Sequence, residues 1–236
     1  LLRQELRETI LYNSIIESIA LGATKLNDIS KKSLIDDTSK TSVYLKNLIE
    51  LSIVKREFSV DDGIKEAGNR NRGLYRLTDN FFRFWYAYVF TSYSDLESGD
   101  VDGVFEHVVK PSLHEFASFS FEDVCREYVQ EKQKAGLLPF RYKRMGRWWG
   151  KTTVRRGDEA DVRETEIDLL AISADKKKYL VGECKFKGKP FTYGDFLDTA
   201  VKLSPQKENA DFYYYLFSEF GFAEKLGEEV RKNRNI

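Results

Sequence analysis

The stretch Thr165 to Lys187 limits the fold of this chain more than any other. Two apolar, partly β-branched runs, Glu166-Ile-Asp-Leu-Leu-Ala-Ile172 and Tyr179-Leu-Val-Gly-Glu-Cys-Lys-Phe186, flank the polar Ala174-Asp-Lys-Lys177, which is the pattern of two strands joined by a turn. A tip centred on Asp175 and Lys176 leaves Asp168 and Glu183 equally far from it, facing each other across the ladder. Their Cβ atoms are then about 5 Å apart, and like charges so placed are destabilising. A hard divalent ion between the carboxylates, Mg²⁺ or Mn²⁺, relieves that repulsion. Residues two apart on a strand share a face, so Lys185 lies on the side of Glu183 while Cys184 points the other way. Two carboxylates and an ammonium on one face can hold a metal, activate a water and stabilise charge on a phosphate oxygen during in-line displacement. The competing reading is a solvated hairpin face on which Lys185 pairs with Glu183 or Glu166, worth little energetically. Against it, Glu183 and Lys185 sit inside an apolar run where solvent-facing alternation is poor.

Charge and composition remove several other classes. Lysine plus arginine number 38, and aspartate plus glutamate 38, so net charge gives no sign of a polyanionic partner and only local clustering can. His107 and His114 are the only histidines, too few for His-rich zinc sites, HNH-type nucleases or a hydrolytic triad. Cys125 and Cys184 show no CxxC spacing, which fits a reducing, cytoplasmic setting, with Cys184 a core residue rather than a reactive one. The aromatic run Phe81 to Phe90 contains Arg83 and is too short for a membrane span, and no signal peptide begins the chain. No membrane partner is expected. The chain starts at Leu1 inside a helical pattern, without an initiator methionine, as a piece of a longer polypeptide does. With 236 residues, roughly 100 to 150 per domain favours two domains, here 1–94 and 95–236.

In the first, Leu6, Ile10, Tyr12, Ile15, Ile16 and Ile19 recur at helical spacing. A short helix follows over Ala23 to Lys32. A third helix, capped by Asp37, Thr38 or Ser39, turns Val43, Leu48, Ile49 and Leu51 inward. Strand-like Ile53 to Phe58 and Gly73 to Leu77, with a long polar loop between them, complete a winged helix-turn-helix pattern. In such domains the third helix enters the major groove and the wing flanks the backbone. Lys40, Ser42, Tyr44, Lys46 and Asn47 then face DNA, with Arg70 and Arg72 on the wing. The region holds about as many acids as bases, where a strong binder is normally basic, so packing on a partner domain is the close alternative. Phe81 to Phe90 reads as a buried helix joining the halves.

In the second domain, Asp95 to Gly103 reads as a linker, Val104 to His114 as a helix broken at Pro111, and Ser120-Phe-Glu-Asp123 as the capped start of a helix running to Lys134. Glu122 then sits in the first turn, where the helix dipole favours a carboxylate. Lys132 to Arg156 is basic with no acidic residue, and Phe140, Tyr142, Trp148 and Trp149 are interleaved. Arg141, Lys143, Arg144, Arg147 and Lys151 therefore form a candidate nucleic-acid groove. Packing of at least one tryptophan in the core is the alternative. Gly150-Lys-Thr152 is not a phosphate loop, because two tryptophans occupy the spacing after Gly146. A helix over Tyr193 to Leu203, a strand over Phe212 to Phe217 and a helix over Phe222 to Lys232 give the order αβββαβα with a mixed sheet. Gln206 and Lys207 follow the crossover helix and could reach a phosphate.

Asp168 followed by Glu183-Cys-Lys185 resembles the PD-(D/E)XK signature of restriction-endonuclease-like folds. Phe121-Glu-Asp-Val-Cys-Arg-Glu-Tyr128, Gly146-Arg-Trp-Trp-Gly150, Glu166-Ile-Asp168, Gly182-Glu-Cys-Lys185 and Leu216-Phe-Ser-Glu-Phe-Gly-Phe222 resemble, in that order, the C-terminal domain of unknown function of archaeal-type ATPases. The resemblance implies a winged helix before a nuclease-like αβββαβ domain and an AAA-type ATPase before both. It implies that Asp168, Glu183 and Glu122 hold Mg²⁺ or Mn²⁺, and that Lys185 positions water or stabilises the transition state. ATP would bind only in the ATPase domain, which is a partner on the same polypeptide. A metal-dependent nuclease acting on DNA is the first expectation, and a non-catalytic regulatory or binding module the second. The oligomeric state stays open.

Overall fold

The computed structural model describes residues 9–35, 37–61, 73–156, 159–203, 209–233 and 235. The chain divides into two compact units, Leu1–Phe58 with Asp62–Leu113, and Ser59–Asp61 with His114–Ile236. Among the described residues no helix is long and apolar enough to cross a membrane.

In the first unit, helices α1 (Thr9–Ala20), α2 (Leu26–Lys32) and α3 (Thr38–Glu50) precede a two-stranded antiparallel sheet of β1 (Val54–Glu57) and β2 (Leu74–Leu77). Asp37 caps α3 by accepting the Ser39 N–H at 2.7 Å, which satisfies one of the helix's unpaired first-turn donors. Ile15, Ile16, Ile29, Leu45, Leu48 and Val54 form the buried core, each large aliphatic side chain contributing about 1.5–3 kcal/mol of burial. Leu48 is inward as the periodicity predicts, whereas Val43 is 59% exposed and Ile10 81% exposed. Tyr44 takes the inward place instead, edge-on to Tyr12 with ring centroids 4.8 Å apart.

The aromatic run is helical as expected: α4 (Asn80–Phe84) continues into a wide π turn, Trp85–Val89. Tyr86 lies in the first unit's core and its hydroxyl donates to Asn13 Oδ1 at 2.8 Å. Phe81, by contrast, is 68% exposed, so the run is buried along one side only. The stretch read as a linker holds α5 (Tyr93–Glu97) and α6 (Val101–Val104). Pro111 does not break the chain either. A π turn over Phe105–Val109 precedes α7 (Lys110–Lys134), so the proline enters in the first turn of the regular helix, where its missing N–H costs little. Ser120 and Glu122 therefore lie in mid-helix, and neither a capping role nor a dipole role applies to them.

The second unit is built on a four-stranded mixed sheet in the order β3-β4-β5-β6: β3 (Tyr142–Arg156), β4 (Glu159–Ser173) and β5 (Lys178–Lys185) run antiparallel, and β6 (Asp211–Ser218) lies parallel to β5. Helix α8 (Tyr193–Ala200) supplies the crossover from β5 to β6, and α9 (Glu224–Lys232) closes the unit. The segment Gly150-Lys-Thr152 is strand, not phosphate loop. The β4–β5 register sets Leu169 opposite Gly182 and Ile172 opposite Tyr179. A Cβ at Gly182 would stand 2.9 Å from the Cβ of Leu169, so only glycine lets the two strands keep this close register. Ile167, Leu170, Tyr179 and Val181 pack on one face of the sheet with Trp148, and Leu169, Ala171 and Leu180 on the other with Val129 of α7.

Candidate functional site

The paired register of the hairpin ends with Leu169 opposite Gly182, and Asp168 and Glu183 are the residues just past that pair, at the end away from the turn. Glu183 is 5% exposed. Both of its oxygens are held by lysines: Lys185 Nζ donates to Oε1 at 2.9 Å, and Lys202 Nζ to Oε2 at 2.6 Å. Lys185 reaches Glu183 because alternate residues of β5 share a face. Asp168 is fixed by the main chain, its Oδ2 accepting the N–H of Cys184 at 2.8 Å.

Burial lifts the Asp168 carboxyl above its ordinary range, and the charge of Glu183 adds to the effect; the Cys184 N–H, Lys202 and Arg147 oppose it without cancelling it. Burial lowers the Lys185 ammonium, but the charge of Glu183 and its hydrogen bond more than offset that, so the group titrates above the usual lysine value. Cys184 points to the opposite side, toward Cys125 of α7; that neighbouring thiol and burial push the Cys184 thiol up, and both cysteines are free.

Glu122 approaches from α7. Its Oε2 lies 3.6 Å from Arg126 Nη1 and 3.7 Å from Arg147 Nε, and is buried with no hydrogen-bond partner among the described residues. Burial first, and then the charge of Asp168, push this carboxyl up to about 8, against the opposing charge of Arg126. Arg126 binds the main-chain oxygen of Asp168 at 2.9 Å and pairs with Asp123. Arg147 Nη2 stands 3.3 Å from Glu166 Oε2.

Among the described residues, no group of three or more His, Cys, Asp or Glu side chains could together hold a metal ion. The expected ligand set of Asp168, Glu183 and Glu122 is thus a pair plus an outlier, because Glu122 turns to two arginines rather than joining the pair. Were Mg²⁺ or Mn²⁺ bound here, Asp168 and Glu183 would be the residues to hold it. Magnesium is commonly held through one or two carboxylates, with water and phosphate oxygens completing the shell, and Asp168 and Glu183 are neighbouring, desolvated oxygen donors. Both oxygens of Glu183 are taken by lysines, so an ion would have to compete with them.

The other expected contacts divide. Arg141, Lys143, Arg144 and Lys151 are exposed at or along β3. Arg147 is not a surface contact: a bulge between Gly146 and Trp148 breaks the alternation, and Arg147 and Trp148 are both 6% exposed. In α3, Lys40 and Lys46 are exposed and Ser42 half-buried, with Lys46 3.8 Å from Glu50. Tyr44 does not face outward, being 7% exposed in the core, and Asn47 donates to the Tyr12 hydroxyl at 2.6 Å. Arg70, Arg72, Gln206 and Lys207 lie outside the described residues.

Sequence reasoning missed Lys202 and Arg126. Lys202 falls one residue before the buried Leu203 and three after the buried Thr199, a helical spacing that marks the inward side. Arg126 lies four residues from Glu122, the spacing of a helical ion pair.

The segments assembling this site run from α7 through β5 and on to α8. Residues 85–195 match the family DUF234, described as archaea bacterial proteins of unknown function. The uncharacterized protein MJECL04 of Methanocaldococcus jannaschii is 34% identical over 188 residues, which is 79% of this chain and 38% of that protein. The chain thus spans well under half the length of this relative. A solved structure, protein VC1899 from Vibrio cholerae, aligns over 95% of this chain and 50% of its own with 13% identity and a TM-score of 0.30.

Proposed function

We propose that the second unit is a metal-dependent phosphodiesterase of the restriction-endonuclease-like type, acting on nucleic acid. The observation that carries this reading is the buried Glu183, bonded to Lys185 at 2.9 Å, with Asp168 held at 2.8 Å by the N–H of Cys184, the residue between Glu183 and Lys185. A divalent ion held by Asp168 and Glu183 supplies Lewis-acid activation of water and neutralises charge on the phosphate. Lys185 holds an ammonium beside the reacting phosphate, where charge develops on oxygen. The Cys184 N–H orients Asp168, Arg126 anchors the main chain of β4 beneath it, and Glu122 faces Arg126 and Arg147. Exposed Arg141, Lys143, Arg144 and Lys151 neutralise the phosphate backbone.

The first unit, three helices and a two-stranded sheet, is a winged helix in this reading, and Lys40 and Lys46 lie on the exposed side of α3. The length of MJECL04 beyond the matched portion leaves room for an ATPase domain on the same polypeptide. A second reading, a binding or regulatory module without catalysis, is favoured by one observation: each oxygen of Glu183 already has a lysine, so the acid is neutralised without a metal.

The test combines calorimetric titration with Mn²⁺ and cleavage of supercoiled, branched and single-stranded nucleic acid by wild type, Asp168→Ala and Lys185→Ala. Metal binding lost in Asp168→Ala, with cleavage lowered at least about 100-fold in both variants, supports the enzyme. Nucleic-acid binding without metal, unchanged in both variants and without cleavage, supports the module.

A further inference from the structure

One carboxylate carrying two lysines is an unusual balance, and it is the second lysine that calls for a role. Lys185 already neutralises Glu183 from the same strand. Lys202 comes from elsewhere, just past the end of α8, and makes the shorter contact, 2.6 Å against 2.9 Å. Its side chain is 19% exposed, so its ammonium is largely removed from water for the sake of that contact.

The main chain beneath it is held in place. The Thr152 hydroxyl, on β3, donates to the carbonyl of Lys202 at 2.5 Å, and Thr152 itself is 2% exposed. The next residue, Leu203, is 1% exposed in the core that contains Trp148 and Tyr179. The backbone is thus anchored at the lysine's own carbonyl and at the residue after it, while the side chain above it keeps its rotatable bonds. A hard divalent ion held by Asp168 and Glu183 would compete with the two lysines for the Glu183 carboxylate, and Lys202 on Oε2 is one of the two cations it would meet there. The ammonium it displaces then needs a new anion, and the group that arrives with the metal in phosphodiester chemistry is the phosphate.

We infer that Lys202 is a second positioning lysine of this site: it stands on Glu183 while the site is without metal, and exchanges that ion pair for a phosphate oxygen of the nucleic acid once a divalent ion takes the carboxylate. The inference deepens the phosphodiesterase reading and rests on it for the identity of the phosphate, but not for the competition at Glu183.

The experiment titrates Mn²⁺ into wild type, Lys202→Met, Lys202→Gln and Lys202→Arg by calorimetry, with circular dichroism confirming the fold. Removing the resident cation tightens Mn²⁺ binding about tenfold in the Met and Gln variants, equivalent to about 1.4 kcal/mol of competition, whereas the charged Arg variant stays near wild type. Nucleic-acid binding is then followed against salt with Ca²⁺ present. Loss of one phosphate contact lowers the slope of log K against log salt by about 0.9 in Lys202→Met. Mn²⁺ affinity that is no tighter in either neutral variant overturns the inference, and so does an unchanged salt slope. Tighter Mn²⁺ binding without cleavage by any form sinks the nuclease reading and leaves the competition at Glu183 standing. Wild-type cleavage with Mn²⁺ affinity indifferent to residue 202 does the reverse.

Discussion

The two units bury polar groups of different kinds. Among the described residues of the first, the buried polar residues are hydroxyl-bearing, such as Ser18 and Thr41, which donate within their own helical turns to Ile15 O at 2.8 Å and Asp37 O at 3.1 Å, while the Glu57–Arg76 ion pair is only partly enclosed. In the second, the fully buried set includes Glu183 and Arg147. A hydroxyl satisfied by its own helix costs little to enclose, whereas a buried ion carries a desolvation penalty that pairing only partly returns. The first unit thus reads as packing that presents a surface. The second reads as packing arranged around charge, the arrangement expected of a site that does chemistry.

Substitutions sharpen that contrast. The largest effect on stability is expected from Leu48→Ala, at 0% exposure in the first core: about 2–5 kcal/mol lost in chemical denaturation, with Mn²⁺ affinity of the folded protein unchanged. A drop in metal affinity there would dissolve the distinction between the units.

Next is Glu122. Its folded-state carboxyl titrates near about 8 against an ordinary 4.5, so between those values the folded protein holds a proton that the unfolded chain has released. Stability from this group is complete below about 4.5, declines as pH rises, and is gone above about 8, with a slope of at most about 1.4 kcal/mol per pH unit. Glu122→Gln, denatured in EDTA from pH 5 to pH 9, should lose that slope and be the more stable protein at pH 9 relative to wild type. An identical slope in the variant would mean that Glu122 is not the buried acid that matters.

The smallest effect is expected from Lys46→Ala. Its pair with Glu50 spans 3.8 Å with both side chains well exposed, so stability should change by less than about 0.5 kcal/mol, while affinity for nucleic acid falls if α3 enters a groove. Unchanged affinity favours the packing role for α3.

The hairpin was legible because strand periodicity is two and the turn residues fix its centre, so a single register buries Leu170 and Ile172. The mixed sheet followed from the helical crossover before β6. Other elements were hidden by physics that a linear pattern does not carry. Pro111 looks like a helix breaker, and only the wide turn before it lets the helix continue. Tyr44 looks like a polar recognition residue, yet its ring fills the space against Tyr12 while Val43 is left outside. Arg147 sits in a basic run, but the bulge at Gly146 turns it inward. Lys202 is distant in sequence from Glu183, and an ion pair between them has no local signature.

The hydrogen bond from the Cys184 N–H to Asp168 has a consequence for variation at that position. A main-chain donor comes with every amino acid except proline, so the orientation of Asp168 is insured against nearly any replacement of its neighbour's side chain. The Cys184 side chain lies toward Cys125 on the other face. The middle residue of Glu183-Cys184-Lys185 answers to the helix behind the sheet, while its flanking residues answer to the chemistry in front.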